Sequence, residues 1–193
     1  MSLRLASIAS ALFSKLGFVS MIQNSGENFV RRRPDGDTHD REMCGTCGFI
    51  NYQNPKVVVG SVVHHGQRIL MCRRAIEPSL GYWTLPAGYL ELGESVADGA
   101  RREAMEEACA NIRIDAVLAV YSLAHIGQVQ IIHLAQLDVP EFAPGPESSE
   151  VKLFDWDDIP RGDLAFPSVA WALKHSRMAK TTTASLPYTC PPS

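Results

Sequence analysis

Residues 88–110 read GYLELGESVADGARREAMEEACA, and this stretch decides the fold. A loop of glycine and turn residues gives way at Ser95 to a run rich in Ala, Met, Glu and Arg, which favours a helix. Within that helix, Glu103, Glu106 and Glu107 are spaced i, i+3 and i+4. Residues at this spacing lie on one helical face, so the sequence predicts three carboxylates projecting from about one turn.

The three carboxylates need a counter-charge, because like charges at this spacing repel by a few tenths of a kcal/mol per pair. Mg²⁺ or Mn²⁺ is the expected occupant, since hard divalent cations bind carboxylates together with substrate phosphates. Small residues at Ala97, Ala104 and Ala108 are predicted to form the opposite face and to pack on a sheet. The alternative is a solvated acidic face without a metal.

Runs rich in β-branched residues flank the helix and predict a sheet. The predicted strands are 56–65, 67–75, 83–87, 112–123, 129–137 and 151–154. Pro167 stands where a helix commonly begins, and residues 168–178 read as a second helix. Strands interleaved with two helices predict an α/β or α+β domain.

The composition limits the classes of partner. The chain has 193 residues, enough for one core with an appendage, and 46% of them are hydrophobic, which favours a packed domain over disorder. A net charge of -3 gives no general electrostatic reason to expect DNA or an anionic membrane as partner. No apolar run reaches the roughly 18 to 20 residues that span a bilayer. We therefore expect a small-molecule substrate, no DNA and no membrane.

The acidic stretch resembles the Nudix box, G-x5-E-x7-R-E-U-x-E-E-x-G-U with U an aliphatic residue. This motif marks hydrolases of nucleoside diphosphates linked to another moiety. The matching positions are Gly88, Glu94, Arg102, Glu103, Glu106 and Glu107. Cys109 departs from the pattern, which has glycine at this helix exit. The resemblance implies a Nudix α/β/α sandwich with a mixed sheet.

The resemblance also implies roles for the side chains. The residues that would bind Mg²⁺ or Mn²⁺ are Glu103, Glu106, Glu107, Glu150 and, through its carbonyl, Ala87. One of the three box glutamates would act as the general base, with Glu103 as the first candidate, and Glu106 and Arg102 are also assigned to catalysis. Arg102 would orient a glutamate through a charge-assisted hydrogen bond, while Glu94 and Gly88 would support the loop that enters the helix. Glu150 is the better match to a downstream metal-binding glutamate, and Glu147 is the alternative.

Residues 44–60, CGTCGFINYQNPKVVVG, resemble the second half of a zinc ribbon. Such a ribbon precedes the core in NADH pyrophosphatases and in a bacterial and plastid group similar to FAD and ADP-ribose pyrophosphatases. The first cysteine pair is missing, because Ile22 and Ser25 stand in its place. Cys44 and Cys47 are therefore predicted to be a remnant. Structural zinc normally has four ligands, so zinc is not expected here.

Two further residues belong to this segment. His39, or a second chain, would be needed to complete a zinc site. Tyr52 matches a tyrosine that contacts the nucleotide in the NADH pyrophosphatase relatives, although a core position is an equal alternative. A thioredoxin-like redox pair is disfavoured, because Cys44 precedes a strand rather than opening a helix.

We expect hydrolysis of the diphosphate linkage of a nucleoside diphosphate-X compound, such as FAD or ADP-ribose, to a nucleoside monophosphate and phosphorylated X. The alternatives are an NADH or RNA-cap pyrophosphohydrolase, and a catalytically inactive nucleotide-binding sensor. Because relatives of this kind are often dimers, we expect a homodimer.

The predicted domains are a leader or extension at 1–21, a degenerate zinc-ribbon-like segment at 22–55, a Nudix hydrolase domain at 56–178 and a flexible tail at 179–193. Residues 1–21 contain Arg, Lys, Ala and Ser but no acid, a composition typical of organellar presequences. They also suit an unstructured extension, or upstream sequence ahead of a start at Met21. We expect a cytoplasmic protein, with plastid or mitochondrion as the alternative.

Overall fold

The computed structural model describes residues 28–181 and 186–191. Contacts divide the chain into two compact units, with the boundary between Asn54 and Pro55. The expected leader and the positions of Ile22 and Ser25 lie outside the described residues.

The smaller unit contains an antiparallel sheet of three short strands. They are β1 (Phe29–Arg32), β2 (Arg41–Cys44) and β3 (Ile50–Asn51), in that spatial order. A tight turn joins the last two strands. The N–H of Gly48 donates to the carbonyl of Cys44 at 2.9 Å, and Gly48 has a φ of +75°, which glycine adopts without strain. This turn carries both Cys44 and Cys47.

The larger unit is built on a mixed sheet. Its elements are β4 (Lys56–His65), β5 (Arg68–Arg74), β6 (Trp83–Thr84), β7 (Ala87–Tyr89), α1 (Val96–Ala108), β8 (Arg113–Leu123), β9 (Gln128–Gln136), β10 (Ser148–Phe154) and α2 (Pro167–Thr181). The strand order is β10-β5-β4-β9-β8, with β6 beside β5 and β7 beside β4. Strands β4 and β9 are parallel, and the other pairs are antiparallel.

The two helices pack on opposite faces of this sheet. Side chains alternate between the faces along a strand, and adjacent residues of β4 show this directly. Val62 packs in a cluster with Leu173 of α2, whereas Val63 packs in a second cluster with Ala104 of α1. The arrangement confirms the predicted α/β/α sandwich with a mixed sheet.

The ends of the helices follow from local chemistry. Ser95 is the N-cap of α1, and its hydroxyl accepts a hydrogen bond from the N–H of Asp98 at 3.2 Å. Pro167 is the first residue of α2. At the other end of α1, Cys109 adopts the left-handed region with φ 47°, and its N–H donates to Met105. Cys109, a residue with a side chain, thus adopts a backbone conformation that favours glycine.

The C-terminal segment differs from the expected frayed tail. Helix α2 continues to Thr181, and Tyr188 then pairs with β8. Its N–H donates to Leu118 at 2.9 Å, and its carbonyl accepts from Val120 at 2.8 Å. Because β8 lies at the end of the strand order, its outer backbone groups are available for this pairing.

Among residues 28–181 and 186–191, no helix has the length and apolar character needed to cross a membrane.

Candidate active site

A cavity of about 1090 Å³ lies in the larger unit. One end is formed by the loop before α1, by α1 itself and by the loop before β10. The residues of the predicted box that line this end are Gly88, Arg102, Glu103, Glu106 and Glu107, joined by Ala87 and Glu147. The structure thus brings together side chains that are up to about sixty positions apart in the sequence.

The three box glutamates differ in burial. Glu103 and Glu107 are only 7% and 5% exposed, whereas the Glu106 side chain is 59% exposed. The buried pair lies beside Ala104 and Ala108, which are fully buried against the sheet. The prediction that Ala104 and Ala108 pack on a sheet is confirmed, but the prediction that the carboxylates lie on the opposite face is wrong for Glu103 and Glu107, which are buried as well.

Burial raises the pKa values of both inner carboxylates. Desolvation raises the pKa of Glu107 to about 8, although the N–H of Ala87 donates to its Oε2 at 3.2 Å. Burial also raises the pKa of Glu103, against the opposing effect of Arg102. Two neighbouring buried carboxylates favour either a proton or a nearby cation. Carboxylate oxygens are hard ligands, so this donor set fits Mg²⁺ or Mn²⁺.

Arg102 links the loop before α1 to the acidic face of the helix. It donates to both carboxylate oxygens of Glu94, at 2.8 and 3.1 Å, and to the carbonyl of Tyr89 at 2.9 Å. It also donates to Glu103 at 2.7 Å and to Glu106 at 2.8 Å. The hydrogen bonds from Arg102 lower the pKa of Glu94 to about 2. The Arg102–Glu94 pair thus holds the entry loop against the helix.

Within the described ranges, no three His, Cys, Asp or Glu side chains are already grouped as a metal site.

Gly88 makes room for Glu103. Strand β7 pairs with β4, with Gly88 opposite Val59, and this places the backbone of Gly88 against the helix. A Cβ atom at position 88 would overlap the Glu103 carboxylate. A glycine is therefore required for the carboxylate to keep its present position.

The loop before β10 is bound to the C-terminal end of α1. The N–H of Ala143 donates to Ala108 at 2.9 Å, and the N–H of Gly145 donates to Glu107 at 3.0 Å. A Cβ atom at Gly145 would overlap the carbonyl oxygen of Glu106, so the close approach again needs glycine. These contacts place Glu147 in the cavity lining.

Glu150 lies elsewhere. It belongs to β10, its side chain is 47% exposed, and it forms an ion pair with Arg73 at 3.6 Å. It is not among the residues that line the cavity, whereas Glu147 is. The structure thus groups Glu147, rather than the residue favoured by sequence, with the box glutamates.

Arg74 is a lining residue that the sequence reasoning missed. Its Nε donates to the carbonyl of Pro78 at 2.7 Å, and its guanidinium lies 5.3 Å from the centre of the Phe166 ring. Its positive charge acts to lower the pKa of Glu107. In the sequence, Arg74 is distinguished only by its positive charge, and its neighbour Arg73 carries the same charge. Only the fold shows that Arg74 faces the cavity.

The remaining predicted residues lie in the smaller unit. Tyr52 is 59% exposed, and the Arg41 guanidinium lies 5.3 Å from its ring centre. Cys44 and Cys47 are free thiols. Hydrogen bonds from the backbone N–H groups of Cys47 and Thr46 lower the pKa of Cys44.

Most of the larger unit matches a known protein family. Residues 54–173 match the NUDIX domain family, which is more than half of the chain. The chain belongs to this family. Residues 24–53 match the zinc-ribbon family described as Nudix N-terminal. These matches confirm the predicted resemblance, and the chain is a Nudix hydrolase.

Individual Nudix proteins resemble the chain to different extents. A crystal structure of a NUDIX hydrolase from Nitrosomonas europaea is 42% identical, covers 84% of this chain and 93% of its own, and superposes with a TM-score of 0.78. An ADP-ribose pyrophosphatase of Methanocaldococcus jannaschii is 29% identical over 60% of this chain and 69% of its own length. A second ADP-ribose pyrophosphatase, from Streptococcus suis, is 24% identical over 71% of this chain and 100% of its own, with a TM-score of 0.56. This last likeness shows the fold alone.

Proposed function

We propose that this Nudix hydrolase cleaves the diphosphate linkage of a nucleoside diphosphate-X compound, with ADP-ribose or FAD as the substrate, in the presence of Mg²⁺ or Mn²⁺. The products are a nucleoside monophosphate and phosphorylated X. The observation that carries the proposal is the pair of buried carboxylates, Glu103 and Glu107, at one end of a cavity of about 1090 Å³. That volume suits a dinucleotide-sized ligand. The Methanocaldococcus jannaschii relative, which is named as an ADP-ribose pyrophosphatase, supports the choice of substrate class.

Glu103, Glu106 and Glu107 are the side chains that would hold the metal, together with the carbonyl of Ala87. The ion would offset the negative charge of the diphosphate and of the departing phosphate. Arg102 keeps Glu103 and Glu106 in place through its hydrogen bonds at 2.7 and 2.8 Å. This preorganisation means that the carboxylates need not move when the substrate binds.

Glu103 acts as the general base. A water molecule attacks one phosphorus atom, its proton passes to the Glu103 carboxylate, and the bridging P–O bond breaks to release the phosphate of the leaving group. Arg74 lines the same cavity, and the carbonyl of Pro78 holds its guanidinium in place. The guanidinium would bind the phosphate oxygens through charge-assisted hydrogen bonds.

Glu147, rather than Glu150, is the fourth carboxylate of the proposed site. The two positions give a matched test, since each variant replaces one carboxylate by an amide. We expect Glu147→Gln to lower kcat by about 10-fold or more and Glu150→Gln to have the smaller effect. The reverse order would restore Glu150 as the ligand.

The proposed activity is tested by incubating the purified full chain with ADP-ribose, FAD, NADH and capped RNA, each with Mg²⁺, Mn²⁺ or EDTA. Chromatography of the products identifies the cleaved bond. We expect nucleoside monophosphate from ADP-ribose or FAD, and no product with EDTA. If none of the four compounds is cleaved but one of them binds, the chain is a nucleotide-binding sensor.

Four further parts of the proposal concern the intact protein. We expect a homodimer, which light scattering after size-exclusion chromatography measures. The domain limits at 55 and 178 stay predictions, as does a cytoplasmic location. Zinc is not expected at Cys44 and Cys47, and metal analysis of the purified protein checks this; near-stoichiometric zinc would contradict it.

A further inference from the structure

The cavity continues beyond the carboxylates to a second end of different character. That end is lined by partly exposed apolar side chains, among them Ile126, Phe166 and Trp171, and by the amides of Gln128 and Gln130. Ile126 comes from the turn between β8 and β9, while Trp171 comes from the first turns of α2. A charged diphosphate gains nothing from contact with apolar side chains. We therefore expect this end of the cavity to bind a different part of the substrate.

The two amides are placed on one face by the strand that carries them. Side chains at every second position of a strand share a face, and Gln128, Gln130 and Ile132 of β9 all line the cavity. Strand β9 is parallel to β4, with Gln130 opposite Val58, which also lines the cavity. The register of the two central strands therefore determines that both amides face the ligand space.

The amides bind each other and leave hydrogen-bonding capacity unused. Nε2 of Gln130 donates to Oε1 of Gln128 at 3.3 Å. In the part of the chain that the structure describes, neither amide makes another side-chain hydrogen bond. In either orientation of the pair, an N–H donor and a carbonyl acceptor remain side by side. A ligand that hydrogen-bonds to both free groups must carry an acceptor for the N–H and, next to it, a donor for the carbonyl.

We propose that this second end is the nucleobase subsite, and that the Gln128–Gln130 pair reads the edge of adenine. Adenine offers its exocyclic N–H and a neighbouring ring nitrogen as an adjacent donor and acceptor. Its flat ring would stack on the aromatic wall formed by Phe166 and Trp171. Ribose has hydroxyl groups but no aromatic face to stack on Phe166 and Trp171, so adenine is the part of ADP-ribose that fits this end better.

The position of Arg74 supports a nucleotide orientation with adenine at the second end and the diphosphate near the carboxylates. Its guanidinium lies 5.3 Å from the Phe166 ring centre, and its charge also acts on Glu107. Arg74 therefore lies where the apolar wall meets the acidic end, which is where the diphosphate of a bound nucleotide would lie. The subsite rests on the proposed function for its substrate class, but its own evidence is the amide pair and the wall.

The test compares binding with catalysis. Calorimetric titration of AMP, purine riboside 5′-monophosphate, FMN and ribose 5-phosphate is made in EDTA, so that it needs no turnover. We expect AMP to bind at least about 10-fold more tightly than ribose 5-phosphate and than purine riboside 5′-monophosphate, which lacks the exocyclic amino group.

The decisive variant is Gln130→Leu, which keeps the size of the side chain but removes its hydrogen bonds. We expect it to weaken AMP about 10-fold and to raise KM for ADP-ribose by a similar factor, with kcat within about twofold. The matched control is Gln136→Leu on the same strand, whose amide binds Asp115 at 3.0 Å and does not line the cavity. It should leave AMP binding and KM unchanged.

The outcomes separate the two proposals. Unchanged AMP affinity and unchanged KM in Gln130→Leu, with hydrolysis intact, would overturn the subsite and leave the proposed function standing. Loss of FMN binding with retained AMP binding would also overturn it, because the occupant would then be the flavin. AMP binding that depends on Gln130, in a protein that cleaves none of the test compounds, would support the subsite and reject the proposed function.

Discussion

The two faces of the central sheet bury polar groups in different ways. On the α1 face, Glu103 and Glu107 are buried as carboxylates whose pKa values burial raises. On the α2 face, several polar groups hydrogen-bond to one another, although the buried hydroxyl of Tyr188 has no partner among the described residues. The Tyr121 hydroxyl hydrogen-bonds to Nδ1 of His175 at 2.7 Å, and Lys180 and Ser176 contact the two ring nitrogens of His64 at 3.2 and 3.4 Å.

This difference separates catalysis from stability. A polar group that is fully hydrogen-bonded inside the protein adds to stability and has nothing left for a ligand. A buried carboxylate beside another carboxylate costs free energy until a cation arrives. We therefore expect changes to the α1 carboxylates to alter activity without unfolding the chain, and changes to the buried Tyr121–His175 pair or to His64 to alter stability without altering activity.

The largest effect is expected from Glu107→Gln, which keeps the side-chain size but removes the carboxylate that would bind the metal ion. Activity should fall by about 10³-fold, because a group that stabilises the developing charge is lost. The free energy of unfolding should stay the same or rise. Steady-state kinetics and urea unfolding measure the two effects. Asp98→Asn, which neutralises an exposed carboxylate on the same helix, is the control and should keep activity within about twofold.

A pH series tests the α2 face. Burial lowers the pKa of His64 to about 4, and the charge of Lys180 acts in the same direction. The unfolded chain therefore binds the proton more readily, so this stabilisation is complete above the ordinary pKa of 6.5 and is lost as the pH falls toward 4. Between pH 7 and 4 the wild type should lose about 3 kcal/mol more than His64→Gln, which has no titrating ring. Parallel curves for the two proteins in urea unfolding would contradict the assignment.

Gly88→Ala tests whether the position of Glu103 matters. The added methyl group would displace the carboxylate from its place beside Arg102. We expect kcat to fall by about 10-fold, since small displacements of a positioned group are costly in rate. The melting temperature should change little, because a displaced carboxylate can still reach solvent. Unchanged kcat would show that Glu103 tolerates a second position.

The smallest effect is expected at the end of α1. Cys109 holds a left-handed conformation at φ 47°, which costs a residue with a side chain about 1–2 kcal/mol. Cys109→Gly removes this strain but increases the entropy of the unfolded chain, so we expect a net gain of about 0.5–1 kcal/mol in the free energy of unfolding. Thermal unfolding measures it. A destabilised variant would mean that the cysteine side chain makes contacts that exceed the strain.

The sequence was most informative where the structure depends on neighbouring residues. The spacing from Gly88 to Glu107 predicted the helix, its N-cap and the three carboxylates, because these features depend on helical periodicity. The zinc-ribbon resemblance of the first segment was likewise confirmed by the family match over residues 24–53. Burial within the helix was predicted less well, since the tilt of α1 against the sheet decides which carboxylates are covered.

Features that depend on distant contacts could not be predicted in the same way. Glu147 lines the cavity because Gly145 binds the C-terminal end of α1, a contact that leaves no periodic pattern. Arg74 differs from Arg73 only in the face of β5 on which it lies. In the sequence, Gln130 is an ordinary polar position of the predicted strand 129–137 and Gln128 lies just before that strand. Only the fold shows that the turn before β9 and helix α2 place an apolar wall beside them.

The pairing of Tyr188 with β8 has a consequence for the behaviour of the protein in concentrated solution. A bare outer strand is a template on which another molecule can add its own strand, and this is a common route to aggregation. Tyr188 occupies the backbone groups of Leu118 and Val120, in the middle of the eleven-residue strand. The segment that carries Tyr188 therefore blocks edge-to-edge association of two molecules. Removing this segment would expose the unpaired edge of β8 while leaving the cavity intact.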